Sequence, residues 1–371
     1  MKTLFISVLL FVSVRSATHS QTNSNFNVNL QLDLSAADQT IQLFEDKLIN
    51  TKALSELRGN RIAASTTGVI TNRGMGAEHL QSCLDSLKYH QIIRDDVYRL
   101  ETARKNAVQI KELLNEIKKS NFNRRVVATV EQIFPQDAAV SVMIPVYVVA
   151  IGHENVDAYV RRIIWHGDVP QFTGEGEGKL TIVINLAQSV NYGPDLQERF
   201  VSLLGVVAHE VFHAAFGAYK EHASRWKKYY ATYQRPFDNL LDLAQNEGVA
   251  YYLSLDQRGH GYVPRDWETK IHEAFSTFNR NAAELLSENL TPERASELIR
   301  MANLSGYWES YGAMTGMFIA REIDLRMGRA ALIETVAGDP FDFFNTYRTL
   351  CNRDSNLPKL APKIIAEIQA K

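Results

Sequence analysis

His209-Glu210-Val211-Phe212-His213 sets two histidines four positions apart, and residues so spaced share one face of an α-helix. Their imidazole nitrogens can together hold one metal ion. The glutamate beside the first histidine points about a quarter turn away, where it reaches a water on that metal. The chemistry such a set performs is hydrolysis: the metal acidifies the water and the carboxylate takes its proton. Apolar residues flank the set, Val206-Val207-Ala208 before it and Ala214-Ala215-Phe216 after it. Polar side chains on a face that apolar are costly unless something ligates or hydrogen-bonds them. Two core histidines with satisfied hydrogen bonds are the plainer alternative.

A zinc site needs at least a third protein ligand. Where a metzincin carries its third histidine this chain has Tyr219, and the nearby Glu221 and His222 read as an exposed helix end. A better candidate is Glu247, within Asn246-Glu247-Gly248-Val249-Ala250 on the next long helical segment. A carboxylate amid Leu240, Leu241, Leu243, Val249 and Ala250 needs a partner, and a metal is a good one. Gly248 beside it lets two helices approach closely. The competing reading of Glu247 is an exposed glutamate on an amphipathic helix.

Together, His209-Glu210-x-x-His213 with Phe216-Gly217 and the block Asn246-Glu247-Gly248-Val249-Ala250 resemble the gluzincin metallopeptidases. The second block is similar to the N-E-G-F-A block of zinc aminopeptidases, and the size resembles that of uncharacterised zinc-dependent peptidase families. Over roughly residues 139 to 255 the resemblance implies a zincin-like core. There a helix carries His209, His213 and the general base Glu210, and a following helix carries Glu247 as third zinc ligand. Where thermolysin has an aspartate after its glutamate ligand, this chain has Tyr251. The resemblance also implies a downstream Tyr or His that stabilises the oxyanion, for which Tyr307 and Tyr311 are the candidates, Tyr311 before Tyr307. Core packing is the other reading of both, since Met314 and Phe318 share their face. Asn246 or Asp242 is the expected partner that orients a ligand imidazole.

The elements that must position these residues can be read around them. Asp195 reads as the N-cap of a long apolar helix running to about Gly217, and a second helix spans about Pro236 to Leu255. Before them, Ala139–Ile151, Val160–Trp165 and Lys179–Leu186 read as strands, with a Gly-rich turn at residues 174–178. For the strand ahead of the active helix, Lys179–Leu186, the resemblance to zincins implies a sheet edge that pairs with extended substrate backbone; the other reading is a plain structural strand. Residues 21–34, polar and Asn-rich, read as a poorly ordered lead-in. Helical spacing then appears at Ile41, Phe44 and Leu48, and again continuously from Val97 to Ile117. It returns after residue 257, at Trp267, Ile271, Phe275 and Phe278 and at Tyr307, Tyr311, Met314 and Phe318. The fold class is therefore α+β, predominantly helical. Its expected organisation is a signal peptide over 1–20, a mainly helical region over 21–134, the zincin-like core over 135–256 and a helical region over 257–371.

Composition bounds the function. The 371 residues carry 40 Lys+Arg against 42 Asp+Glu, a formal charge of −2 that gives no support to nucleic-acid binding. Lys2, the apolar run Leu4–Val14 and the small residues Ser16, Ala17 and Ser20 have the form of a secretory signal peptide. The expectation is thus a secreted or periplasmic protein with no membrane span in the mature chain. Cys83 and Cys351 stand near opposite ends of the mature chain, and read either as a pair or as two apolar thiols. The leading functional reading is an exported, Zn2+-dependent hydrolase, a peptidase acting on a peptide or protein substrate. The alternatives are a zinc hydrolase of a non-peptide amide or ester, an inactive secreted zinc-binding protein, and a metal-free helical interaction module. The intact Glu210 argues against the inactive form, because structural zinc has no use for an adjacent base.

Overall fold

Strand β1 (Phe26–Asp33) buries Phe26, Val28 and Leu30 and exposes Asn27, Asn29 and Gln31, so its asparagines are the outward half of a strict two-residue alternation. From Phe26 to Asp33 the lead-in expected to be unordered is therefore a strand, and β1 pairs in parallel with β2 (Val140–Val149) from end to end. In a computed structural model of the chain, residues 25–174, 176–257, 266–303 and 309–371 are described. The expected signal peptide and Tyr307 lie outside them.

Seven helices follow β1: α1 (Ser35–Phe44), α2 (Thr51–Glu56), α3 (Arg58–Thr71), α4 (Ala77–Lys88), α5 (Leu100–Lys105), α6 (Ala107–Lys119) and α7 (Phe122–Glu131). The single helix expected from Val97 to Ile117 breaks at Asn106, which caps α5 and opens α6 with backbone outside the helical region. The sheet is completed by β2, β3 (Ala158–His166), β4 (Val169–Thr173) and β5 (Lys179–Asn185). Helices α8 (Leu186–Ser189), α9 (Leu196–His222), α10 (Ser224–Thr232) and α11 (Pro236–Gln257) come next. The C-terminal part holds α12 (Trp267–Leu285), α13 (Pro292–Ala302), α14 (Tyr311–Met327), α15 (Arg329–Ala337), α16 (Pro340–Arg353) and α17 (Pro362–Gln369). This is a predominantly helical α+β fold around one small mixed sheet.

The five strands lie in the order β1-β2-β5-β3-β4, parallel from β1 to β5 and antiparallel from β5 to β4. β5 is hydrogen-bonded on both sides, to β2 and to β3, so it is not the edge expected to receive substrate backbone. Its run of buried residues from Thr181 to Asn185 has the near-continuous burial of an interior strand. One sheet face, through Val146, Val148, Ile182 and Ile184, joins the core that includes Phe200, Leu203, Val207 and Val211 of α9. The other face packs Tyr147, Val149 and Val183 against Ala36 of α1 and Ile62 and Ala63 of α3.

Asp195 caps α9 as expected, accepting from the Glu198 amide at 2.9 Å, and Arg199 ties back to the Gly193 and Pro194 carbonyls. The helix does not stop at Gly217, because Tyr219 and Lys220 beyond it are buried. α9 is long and apolar enough to cross a membrane, and here its apolar length is mostly buried. Cys83 and Cys351 are not bonded to each other; Cys83 is buried and Cys351 half-buried.

α11 lies between α9 and α14. It meets α14 at a pair of glycines: a Cβ on Gly248 would fall 2.2 Å from the Gly316 carbonyl carbon, and one on Gly316 would fall 1.7 Å from the Ala244 carbonyl oxygen. Both atoms belong to backbone and cannot step aside. Gly316→Ala should therefore destabilise the protein by about 2–4 kcal/mol in urea unfolding. Gly217→Ala, exposed on α9 with nothing near its Cβ, should stabilise by about 0.5–1 kcal/mol. Equal effects at the two sites would contradict the close crossing.

Candidate metal centre

α9 and α11 run antiparallel past each other, and the expected residues meet where they face. His209 Nε2 and His213 Nε2 are 3.0 Å apart. Glu247 Oε2 stands 3.6 Å from the first and 3.4 Å from the second. Metal bonds of ~2.0–2.1 Å at tetrahedral angles place ligand atoms about 3.3–3.4 Å from one another. The three donors therefore already have the spacing of one tetrahedral face. Among the described residues they form the one group of three His, Cys, Asp or Glu side chains close enough to hold an ion. Two nitrogens and one carboxylate oxygen are a donor set that suits zinc. Glu221 and His222 are exposed at the end of α9 and take no part.

Each of the three side chains is held from behind. His213 Nδ1 is 3.1 Å from Asn246 Oδ1, which fixes the ring with Nε2 turned toward the cluster. The His209 ring is hydrogen-bonded to the Ala250 backbone. Of the two expected orienting residues, then, Asn246 fills the role. Asp242 instead accepts from Lys220 and from the Tyr230 hydroxyl. Glu247 Oε1 accepts from Asn303 Nδ2 at 2.8 Å, which leaves Oε2 to face the histidines. Nothing in the spacing of Asn303 announces this, since it arrives from the end of α13.

Electrostatics in the cluster follow from burial and proximity. Burial and the neighbouring His213 push the His209 imidazole well below its usual range. On His213 burial works the same way but is outweighed by the Glu247 carboxylate, which raises the ring. Burial would raise Glu247 too, yet the His213 charge outweighs it and holds the carboxyl low. Glu210 differs: burial pushes its carboxyl up to about 7, Glu247 and Asp157 adding to the rise against the pull of His213. A carboxyl that changes protonation near neutral pH can both accept and return a proton.

The tyrosines fall differently from expectation. Tyr311 is buried in the core; its hydroxyl donates to the Leu298 carbonyl at 2.8 Å and its ring packs on Phe278. The structure does not bring it to the cluster, and the core-packing reading of that face holds for Tyr311. Tyr251 is at the cluster instead. Its ring meets His209 edge-on with centroids 4.5 Å apart, and burial followed by Glu247, Glu210 and Asp157 pushes its hydroxyl up to about 12. The sequence did carry a signal for it, because Tyr251 follows Glu247 by one helical turn on the same face. Asp157, just ahead of β3, accepts from the Tyr192 hydroxyl at 2.7 Å.

Two outcomes follow. Asn246→Ala and Asn303→Ala should each weaken zinc binding about 10–100-fold, measured by competition with a chromogenic chelator. The second concerns Glu210, whose folded pKa is raised, so the folded chain keeps a proton that the unfolded chain releases between pH 4.5 and about 7. Stability therefore falls as pH rises through that window. In the presence of EDTA, Glu210→Gln should be more stable than wild type by about 3 kcal/mol at pH 8 and close to it at pH 4. A difference that stays constant with pH would contradict the buried carboxyl.

A family model described as "Putative zinc dependent peptidase (DUF5700)" matches residues 76–356, a span that includes every residue of the cluster. No curated protein and no solved structure matches the chain.

Proposed function

The chain belongs to that zinc-dependent peptidase family, and on this premise we propose that it is an exported peptidase of gluzincin type, with His209, His213 and Glu247 as zinc ligands and Glu210 as general base. The observation that carries the proposal is the spacing of the three donor atoms, 3.0 to 3.6 Å apart, with Glu210 next to His209 on the helix that bears both histidines. A glutamate ligand from a second helix is the gluzincin arrangement. Export rests on the form of the N-terminal sequence.

Zinc held there supplies Lewis acidity, lowering the pKa of a water toward ~7 and polarising the scissile carbonyl. The chain does the rest. Glu210 takes a proton from the attacking water as the new C–O bond forms. It then delivers that proton to the amide nitrogen as the C–N bond breaks. Asn246 and Asn303 keep the His213 ring and the Glu247 carboxylate in place throughout, so little reorganisation is needed during the reaction. The same parts would cut a non-peptide amide or ester; the family description favours peptides.

Purified chain should bind one zinc and degrade fluorescein-labelled casein or a mixed peptide library. Activity should be lost with chelator and restored by zinc. Glu210→Gln should keep the zinc and lose about 10²–10⁴-fold in kcat. Glu247→Ala should bind zinc more weakly than wild type. Undiminished turnover in Glu210→Gln would refute the base, and failure of the wild type to bind zinc would refute the site.

A further inference from the structure

The base and the ligands leave one requirement of peptide hydrolysis unassigned. Attack by water moves the carbonyl π pair onto oxygen, and the charge that develops there is stabilised by a donor in addition to any metal. Tyr311 cannot serve, because its hydroxyl is buried and given to Leu298.

We propose that Tyr251 is this donor: its phenol hydrogen-bonds the oxyanion of the tetrahedral intermediate, while its ring fixes His209. The inference rests on the zinc-peptidase reading given above. Tyr251 shares a face of α11 with Glu247, one turn further on, and is half-buried, so a substrate can reach it. Its ring stands edge-on to His209, 4.5 Å between centroids, on the same imidazole that meets His213 at 4.7 Å. The charges that act on its hydroxyl are Glu247, Glu210 and Asp157, those of the reaction site. The charges that act on Tyr311 are Arg294, Glu284 and Arg280, none of which belongs to the site. A phenol carries an O–H that can donate a hydrogen bond, which is what the oxyanion needs.

The step balances without any further reactant. The water oxygen forms the C–O bond, its proton goes to Glu210, and the carbonyl π pair moves to oxygen. Tyr251 donates a hydrogen bond to that oxygen without giving up its proton. On collapse the pair returns, the C–N bond breaks, and the Glu210 proton passes to nitrogen.

The test is Tyr251→Phe, which keeps the ring against His209 and removes only the hydroxyl. Three quantities are compared with wild type: zinc stoichiometry, casein turnover, and anion binding to the cobalt-substituted chain followed in its visible spectrum. Inorganic phosphate presents tetrahedral oxyanions, whereas azide does not. The expected result is unchanged zinc, kcat lower by about 10²-fold with KM within about threefold, phosphate weakened about tenfold or more, and azide unaffected. Unchanged kcat and phosphate affinity would overturn the inference and leave the zinc peptidase standing. So would loss of zinc in Tyr251→Phe, which would make the hydroxyl a support of the metal site. Should the wild type take up no zinc, the peptidase reading falls and this inference with it.

Discussion

The antiparallel register of α9 against α11 is the constraint on which the site depends. Ser254 Oγ donates to the Gly205 carbonyl at 2.9 Å, and a Cβ on Gly205 would come within 3.1 Å of the Ser254 carbonyl oxygen, so the helices are nearly in backbone contact there. One turn on, His209 bonds the Ala250 backbone; after another, His213 meets Asn246. Further along, Lys220 meets Asp242. A slip of one residue in this ladder turns Glu247 away from the histidines, because each residue rotates the side chain by about 100° around its helix. The Lys220 end is strongly held. Its ammonium is buried over Phe216 and Trp226, 4.3 and 4.2 Å from their centroids, and a charge taken from water to such a place persists only with a partner like Asp242. The Gly248–Gly316 crossing presses α14 on the opposite side of α11, so the Glu247 helix is gripped from two directions.

The same packing concentrates charge where the surroundings disfavour it. Glu210 and Glu247 are both largely withdrawn from water, and burial works against charge on both. The two carboxyls diverge because Glu247 has the histidines and Asn303 as partners, whereas Glu210 has mainly His213 to set against burial and two other carboxylates. The cation proposed between two imidazoles and a carboxylate would resolve such a cluster, and it would leave the other carboxyl as the proposed proton carrier. One helix thus carries both histidines and Glu210, and the second helix sets how the two glutamates differ.

Much of this was legible in the sequence, for reasons that are local. The His209–His213 pair and Glu210 are read from one turn of helix, Asp195 from its capping position, and β2 and β5 from runs of β-branched residues. Glu247 stood out as a charge in an apolar stretch. What escaped depended on contacts between distant segments. β1 was hidden because its asparagines, counted as composition, concealed the alternation of Phe26, Val28 and Leu30. The interior place of β5 follows from the crossover that brings β2 beside it, which no periodicity within β5 records. Tyr311 and Tyr251 both stand on apolar helices; the packing of α13 on α14 seals the first under Leu298, and that of α9 on α11 brings the second to His209. Asn303 reaches Glu247 from a helix end far along the chain, with no pattern to mark it.

A crystal structure of the zinc-loaded chain with an anomalous difference map at the zinc edge tests this most directly. The expected result is one ion about 2.0–2.1 Å from the Nε2 atoms of His209 and His213 and about 2.0–2.2 Å from Glu247 Oε2, with Asn246 and Asn303 still behind the ligands. An ion held elsewhere, or held by the histidines while Glu247 points away, would contradict a metal centre built by the register of α9 and α11.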